Sequence, residues 1–175
     1  MMKIEEQAGK LLKEQGRTIA CAESCTGGLL TSRLTDIAGS SDYVMGSVVS
    51  YTNYIKEKLV GVQHETLVAH GAVSAETARE MAEGIRRSIE TDVGVGITGI
   101  AGPGGGTAAK PVGLVFIAVS GPGGTIVKEN HFHGSRTEIK RQSTETALKM
   151  LCFFLTKQHR SFSEPLYADD LQIKE

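Results

Sequence analysis

The residues of this chain that could do chemistry lie closest together within residues 40–56. Ser41 falls in a loop, Tyr51 at the end of a predicted strand, and Lys56 in the first turn of the next predicted helix. A hydroxyl beside an uncharged lysine amine can act as a nucleophile without a Ser-His-Asp triad, and Tyr51 could relay the proton. A helix N-terminus and partial burial both disfavour a positive charge on Lys56, so its amine could serve as a general base. The alternative is an exposed lysine on a capped helix and an ordinary tyrosine at a strand end.

The glycine-rich turn 24–28 precedes this stretch and joins a short predicted strand to a helix. Its backbone N–H groups, including that of Gly27, and the hydroxyls of Ser24 and Thr26 could hold a phosphate or carboxylate. The turn lacks the spacing of a Walker motif, so it does not indicate nucleoside triphosphate binding. Cys25 lies in the same turn and could be a nucleophile, but no His-Asn or His-Asp partner set is evident nearby. A capped strand-to-helix turn is the alternative.

A second glycine-rich loop, 98–106, follows a later predicted strand. Backbone amides in this loop, at Gly99 and Gly102, could approach a ligand or form an oxyanion hole, and Thr98 stands where the loop begins. Arg136 lies at a predicted helix start, where a cation is electrostatically disfavoured, so it could bind a ligand phosphate or carboxylate. A plain connection and a surface arginine are the alternatives. Further basic residues of the predicted helices fit solvated faces: Arg86, Arg87, Lys140 and Arg141.

Length and composition favour one domain over residues 1–157, followed by a polar tail at 158–175. The net charge of −1 provides no overall basic field for nucleic acid. No apolar run reaches the roughly 18 residues that a membrane span needs, and the charged N-terminus does not fit a secretion signal. The cysteines have no metal-ligand spacing, and their odd number fits a reduced compartment: Cys21, Cys25 and Cys152. We therefore expect a cytoplasmic protein without nucleic acid, membrane or metal partners.

Hydrophobic periodicity predicts the element order α-β-α-β-α-α-β-β-β-α. The predicted helices cover about 3–14, 29–37, 53–60, 74–89 and 135–157, with a further helical turn at 66–70, and the predicted strands cover about 18–22, 45–51, 93–97, 112–119 and 125–132. This order fits a three-layer α/β/α sandwich with a mixed, partly antiparallel central sheet. The last two strands should form an antiparallel hairpin across a tight Gly/Pro turn. Asn53 could cap the third helix.

Several short motifs in this order resemble a known family. They are AESCTGG at 22–28, IAGSS at 37–41, YTNYIK at 51–56, HGAVS at 70–74, GIAGPGG at 99–105 and KPVG at 110–113. Together they resemble the C-terminal domain of the competence/damage-inducible protein CinA, a family known as nicotinamide-nucleotide amidohydrolase or NMN deamidase. The resemblance covers roughly residues 3–157, and the domain also occurs alone in this family.

The resemblance implies hydrolysis of the carboxamide of nicotinamide mononucleotide (NMN) to nicotinate mononucleotide and ammonia, in NAD recycling, without metal or organic cofactor. The serine, tyrosine and lysine that the family assigns to catalysis match Ser41, Tyr51 and Lys56. Thr98 and Arg136 match two further positions of its site. Whether Arg136 or the turn 24–28 holds the nucleotide phosphate is left open.

The resemblance also implies a homo-oligomer, and the apolar end of the last helix, residues 152–155, could supply surface for a partner subunit. A hypothesis from another class is a non-catalytic nucleotide-binding module that senses pyridine nucleotides or partners a larger protein. A module of that kind would have no need of a nucleophile beside a base.

Overall fold

A computed structural model of the chain describes residues 2–158, with a five-stranded sheet between two layers of helices. The strands are β1 (Ile19–Glu23), β2 (Val44–Val49), β3 (Val93–Gly99), β4 (Leu114–Gly121) and β5 (Gly124–His131). The helices are α1 (Ile4–Glu14), α2 (Leu29–Thr35), α3 (Asn53–Val60), α4 (His64–His70), α5 (Ala75–Ile89) and α6 (Arg136–Gln158). A short 3-10 turn, Ser40–Asp42, precedes β2.

The strand order is β2-β1-β3-β4-β5, and the sheet is mixed as predicted. β1 pairs in parallel with both β2 and β3, whereas β4 runs antiparallel to β3 and β5, which confirms the predicted hairpin. Glu23, the last residue of β1, lies opposite Val49 of β2 and Ile97 of β3. The carboxyl ends of the three parallel strands therefore meet at one edge of the sheet, where ligands of open α/β sheets usually bind.

Strand β1 is buried on both faces, and its side chains alternate between two hydrophobic clusters. Ile19 and Cys21 pack with residues of α1, α2 and α6, while Ala20 and Ala22 pack with residues of α3, α4 and α5. This alternation follows from the two-residue period of a strand. Helices thus cover both faces of the sheet, which confirms the three-layer α/β/α architecture.

Some details differ from the sequence-based expectations. The cap of α3 is Thr52 and not Asn53, because the Thr52 hydroxyl accepts a hydrogen bond from the N–H of Ile55 at 3.3 Å. Phe154 and Leu155 near the end of α6 are fully buried in the domain's own core, so they leave no surface for a partner subunit. Gln158 still belongs to α6, and the rest of the predicted tail lies outside the described residues.

Gly84 is the position where α5 packs most closely on α3. A Cβ at Gly84 would overlap the backbone carbonyl of Val60, the last residue of α3. Because a backbone group cannot move aside as a side-chain tip can, we expect Gly84→Ala to lower the free energy of unfolding by about 3 kcal/mol in urea. Gly104→Ala is the control, since an added Cβ there meets nothing within 4 Å. Equal stability of the two variants would contradict this packing.

Candidate active site

Lys56 places an amine inside the protein, with only 1% of the residue exposed. The Thr52 cap starts α3 immediately after β2, so Lys56 lies in the first helical turn. Its Nζ donates a hydrogen bond to the backbone carbonyl of Ser50 at 2.8 Å and lies 3.1 Å from the hydroxyl oxygen of Ser24. Ser24 directly follows β1 and Ser50 directly follows β2. A hydroxyl and an amine therefore meet at the carboxyl ends of two neighbouring parallel strands.

Burial lowers the pKa of Lys56 below the ordinary value of a lysine, because the ammonium loses its hydration. A negative charge on the neighbouring Cys25 would act in the opposite direction. Within residues 2–158 no carboxylate forms an ion pair with Lys56 that would hold it charged. A neutral Lys56 keeps an N–H for the Ser50 carbonyl, and its lone pair can accept the proton of the Ser24 hydroxyl.

The structure does not bring Ser41 and Lys56 together, contrary to the prediction. Ser41 lies in the exposed 3-10 turn before β2, and Lys56 follows the other end of that strand. At a rise of about 3.3 Å per residue, β2 separates its two ends by roughly 16 Å. The neighbouring Asp42 accepts a hydrogen bond from Lys13 of α1 at 2.8 Å. Ser41 therefore belongs to the opposite edge of the sheet, and the hydroxyl beside Lys56 is that of Ser24.

The turn 24–28 is shaped by the carboxylate of Glu23, which is fully buried. Its Oε2 accepts hydrogen bonds from the backbone N–H groups of Gly28 at 3.1 Å and Leu30 at 3.0 Å. Its Oε1 accepts from the N–H and the hydroxyl of Thr31, both at 2.8 Å. Glu23 thus caps α2 from the preceding strand. The predicted phosphate or carboxylate site is therefore wrong for the N–H groups of the first turn of α2, because these groups already donate to the carboxylate of Glu23.

A few polar groups around Ser24 stay free of protein partners. The N–H of Ser24 donates to the carbonyl of Ile97 at 2.9 Å, and that of Gly27 donates to the carbonyl of Ser24 at 3.1 Å. The N–H groups of Cys25 and Thr26, by contrast, donate no hydrogen bond to another described residue. The hydroxyls of Thr26 and Ser50 are buried and lack partners among residues 2–158. Since buried polar groups normally have partners, these four groups can hydrogen-bond a ligand or water.

Arg136 ties the loops after β2 and β3 to the start of α6. Its guanidinium donates to the backbone carbonyl of Gly102 at 2.6 Å and to the phenol oxygen of Tyr51 at 3.0 Å. Tyr51 is 59% exposed and forms no hydrogen bond with Lys56, so it lies at the mouth of the site. The predicted residues Tyr51, Gly102 and Arg136 are therefore brought together, on the rim that surrounds the Ser24 turn.

Thr98 and Gly99 are engaged in the fold. The buried Thr98 hydroxyl donates to the carbonyl of Ala72, which anchors the loop before α5. A Cβ at Gly99 would lie 2.7 Å from the carbonyl oxygen of Leu114, so this glycine allows β3 and β4 to approach closely. Neither residue presents a free polar side chain to the Ser24–Lys56 pair.

Cys25 is buried in the turn, and burial raises the pKa of its thiol to about 12. A backbone hydrogen bond to the thiol and the positive charge of Arg136 act in the opposite direction but do not overcome burial. A thiol of this kind stays protonated near neutral pH, and only the thiolate is a strong nucleophile. The geometry therefore favours Ser24 over Cys25 as the nucleophile.

Residues 2–158 contain neither a metal-ligand cluster nor a membrane-spanning helix. No group of three or more His, Cys, Asp or Glu side chains in this range is arranged to hold a metal ion. No helix in the same range is long and apolar enough to cross a membrane.

An α/β/α domain with a serine hydroxyl against a buried lysine has the parts of a serine–lysine hydrolase site. The model of the CinA C-terminal domain family matches residues 1–155, and the chain belongs to that family.

Known proteins similar to the chain carry the same family names. It is 52% identical over 140 residues to a CinA-like protein of Syntrophomonas wolfei, a match that covers 80% of this chain and 34% of that protein. The solved structure of the competence/damage inducible protein CihA from Agrobacterium tumefaciens is 44% identical, with a TM-score of 0.82, over 87% of this chain and 95% of that one. A CinA superfamily protein from Klebsiella pneumoniae is 30% identical, with a TM-score of 0.85, over 89% and 99%. The chain spans about a third of the length of the curated relatives it matches.

The sequence predicted Lys56 as a base and Ser24 as a ligand donor, but it did not predict the contact between them or the role of Glu23. The signal for Ser24 was its place directly after a strand, because the ends of neighbouring parallel strands share an edge. Glu23 gave no capping signal of the usual kind. A capping side chain normally stands at the N-cap, whereas Glu23 lies five residues before the first capped N–H, that of Gly28.

The contacts of Glu23 generate a stability prediction. In Glu23→Gln an amide NH2 group replaces one carboxylate oxygen. This NH2 group is itself a donor and faces backbone N–H donors, so these buried donors lose their acceptor. We expect the free energy of unfolding to fall by about 2–3 kcal/mol in urea titrations. Glu14→Gln, on the exposed end of α1, is the control and should change stability by less than about 0.5 kcal/mol. A neutral effect of Glu23→Gln would show that the carboxylate does not hold the turn.

Proposed function

We propose that the chain is an amidohydrolase that uses Ser24 as nucleophile and Lys56 as general base. The observation that carries this proposal is the 3.1 Å approach of the buried Lys56 Nζ to the Ser24 hydroxyl. A lysine without a carboxylate partner is costly to bury unless it is neutral, and a neutral amine beside a hydroxyl can activate it. The chemistry assigned to Ser41 on the basis of resemblance is thereby transferred to Ser24.

The reaction would proceed in two balanced halves. Lys56 takes the proton of the Ser24 hydroxyl while the Ser24 oxygen bonds to the carboxamide carbon. The resulting Lys56 ammonium then passes that proton to the carboxamide nitrogen as the C–N bond breaks. Ammonia leaves and the acyl group stays on Ser24. Lys56 then deprotonates a water molecule that attacks the ester, the C–O bond to Ser24 breaks, and the proton returns to the Ser24 oxygen.

The oxyanion of each tetrahedral intermediate needs donors close to Ser24. The N–H of Ser24 is already bound to Ile97, and that of Gly27 to Ser24, which leaves the N–H groups of Cys25 and Thr26 as the candidates within the turn. A backbone donor that is fixed before reaction stabilises developing charge without reorganisation. The Thr26 hydroxyl, also without a partner among the described residues, could add a second donor.

We infer nicotinamide mononucleotide as the substrate from membership of the CinA family, with nicotinate mononucleotide and ammonia as products. The names of the relatives describe competence and damage induction and leave the reaction open. An anionic, amide-bearing nucleotide is consistent with a neutral Ser24–Lys56 pair that has a cation, Arg136, at its rim. Such a reaction would belong to NAD recycling in the cytoplasm.

A homo-oligomer is also part of the proposal. Its support is a set of exposed apolar side chains on the edge strand β2 and the adjacent helix α3: Met45, Val49, Tyr54 and Leu59. A strand at the edge of a sheet with an apolar surface is a common place for a second subunit to bind.

The nucleophile is tested by ammonia release from nicotinamide mononucleotide. We expect Ser24→Ala to lower kcat by at least about a thousandfold, because among residues 2–158 the Ser24 hydroxyl is the one that hydrogen-bonds Lys56. Ser41→Ala is the matched control and should keep wild-type rates. Loss of activity in Ser41→Ala with wild-type rates in Ser24→Ala would assign the nucleophile to Ser41. Loss of activity in Cys25→Ala alone would assign it to Cys25. No release by wild-type protein would favour a nucleotide-binding module.

The base is tested by the pH dependence of the same reaction. Lys56 must be neutral to act, so kcat should rise with pH and level off with a midpoint below the ordinary lysine pKa of about 10.4. The sign follows from burial, which lowers the pKa of Lys56. Lys56→Arg stays charged throughout and should be inactive at every pH. A rate that rises only at the ordinary lysine pKa, as for a solvent-exposed amine, would contradict a buried lysine base.

A further inference from the structure

Lys140 is a cation next to the Ser24 turn that the reaction described above does not use. It lies on α6, one helical turn after Arg136, and is half-buried. A Cβ at Gly27 would lie 3.8 Å from its Nζ, which places the ammonium against the turn 24–28. Lys140 has no hydrogen bond or ion pair within residues 2–158. Its position corrects the expectation of a purely solvated helix face.

Lys140 and Arg136 bring two positive charges to the turn, and the nearby carboxylates, Glu23 and Glu138, are hydrogen-bonded to other groups and form no ion pair with Lys140. Arg136 lies close enough to the turn to act on the Cys25 thiol. The Glu23 carboxylate beneath the turn is buried and already accepts from three backbone N–H groups and one hydroxyl. Glu138, between the two cations on α6, accepts from the N–H and hydroxyl of Ser135. An anion is therefore the ligand that this rim fits.

We propose that Arg136 and Lys140 form a subsite for the phosphate monoester of the substrate. The inference rests on the proposed function and specifies which end of the nucleotide each side of the site holds. Arg136 uses only part of its guanidinium on Gly102 and Tyr51, so further N–H groups remain for phosphate oxygens. Lys140 supplies a point charge that can complement the second negative charge.

The fold gives this subsite a definite place relative to the reacting atoms. Lys56 comes from α3 on one face of the sheet, and Lys140 comes from α6 on the other. Ser24 directly follows the end of β1 and lies between them. In the sheet, β1 has β2 on one side and β3 on the other. The substrate would thus cross the end of β1, with its carboxamide toward α3 and its phosphate toward α6.

The experiment compares Lys140→Gln with Arg141→Gln, its exposed neighbour on α6, so that both variants lose one positive charge. Ammonia release is measured from nicotinamide mononucleotide and from nicotinamide riboside, which has the same amide without the phosphate. We expect Lys140→Gln to raise KM for the mononucleotide about tenfold or more, with kcat nearly unchanged and riboside turnover unaffected. Arg141→Gln should match wild type on both substrates.

An unchanged KM for the mononucleotide in Lys140→Gln, or an equal loss on both substrates, would overturn the subsite while leaving the amidohydrolase in place. If wild type released ammonia from neither compound, the proposed function would fail separately. Calorimetric titration with nicotinate mononucleotide would then decide on the subsite. Binding at least about tenfold weaker in Lys140→Gln than in Arg141→Gln would support it, and equal or undetectable binding in all three proteins would refute it.

Discussion

The burial of one amine, the Nζ of Lys56, constrains the architecture around it. An ammonium loses its hydration in the interior, so the site favours the neutral form, and the hydrogen-bond partners of the amine among the described residues are the Ser50 carbonyl and the Ser24 hydroxyl. Both lie at strand ends. β2 must pair with β1 in parallel, and α3 must begin directly after β2, for these groups to converge. The pairing of β1 with β2 therefore brings the reactive groups together as well as contributing to the hydrophobic core.

The structure also keeps the carboxylate of Glu23 from pairing with the amine of Lys56. Glu23 stands next to Ser24 in sequence, and a carboxylate that reached Lys56 would favour the ammonium and remove the base. Its oxygens are instead held by the first turn of α2, and Thr31 extends this network to the hydroxyl of Ser47 in β2 at 2.9 Å. The same capping fixes the turn that carries the nucleophile, so one buried carboxylate serves both geometry and electrostatics.

Periodicity was sufficient for the elements and the layered fold, since each helix and strand has its own local pattern. The site was only partly predictable, because its residues meet through strand pairing. Ser41 is nearer to Lys56 in sequence than Ser24 is, yet the length of β2 separates them, whereas parallel pairing brings residues 24 and 56 into contact. Lys140 shows the same limit: its helical position alone indicated solvent, and only the packing of α6 near the turn places it at the site.

The most direct measurement is the protonation of Lys56 itself, followed by NMR of its side-chain carbon next to Nζ as pH is varied, with the signal assigned by its loss in Lys56→Met. The account predicts a titration midpoint clearly below the ordinary lysine value of about 10.4. It also predicts that Ser24→Ala leaves this midpoint low, because burial is its cause. A midpoint at the ordinary value would mean that Lys56 is a charged, hydrated side chain, and Ser24 would then have no base.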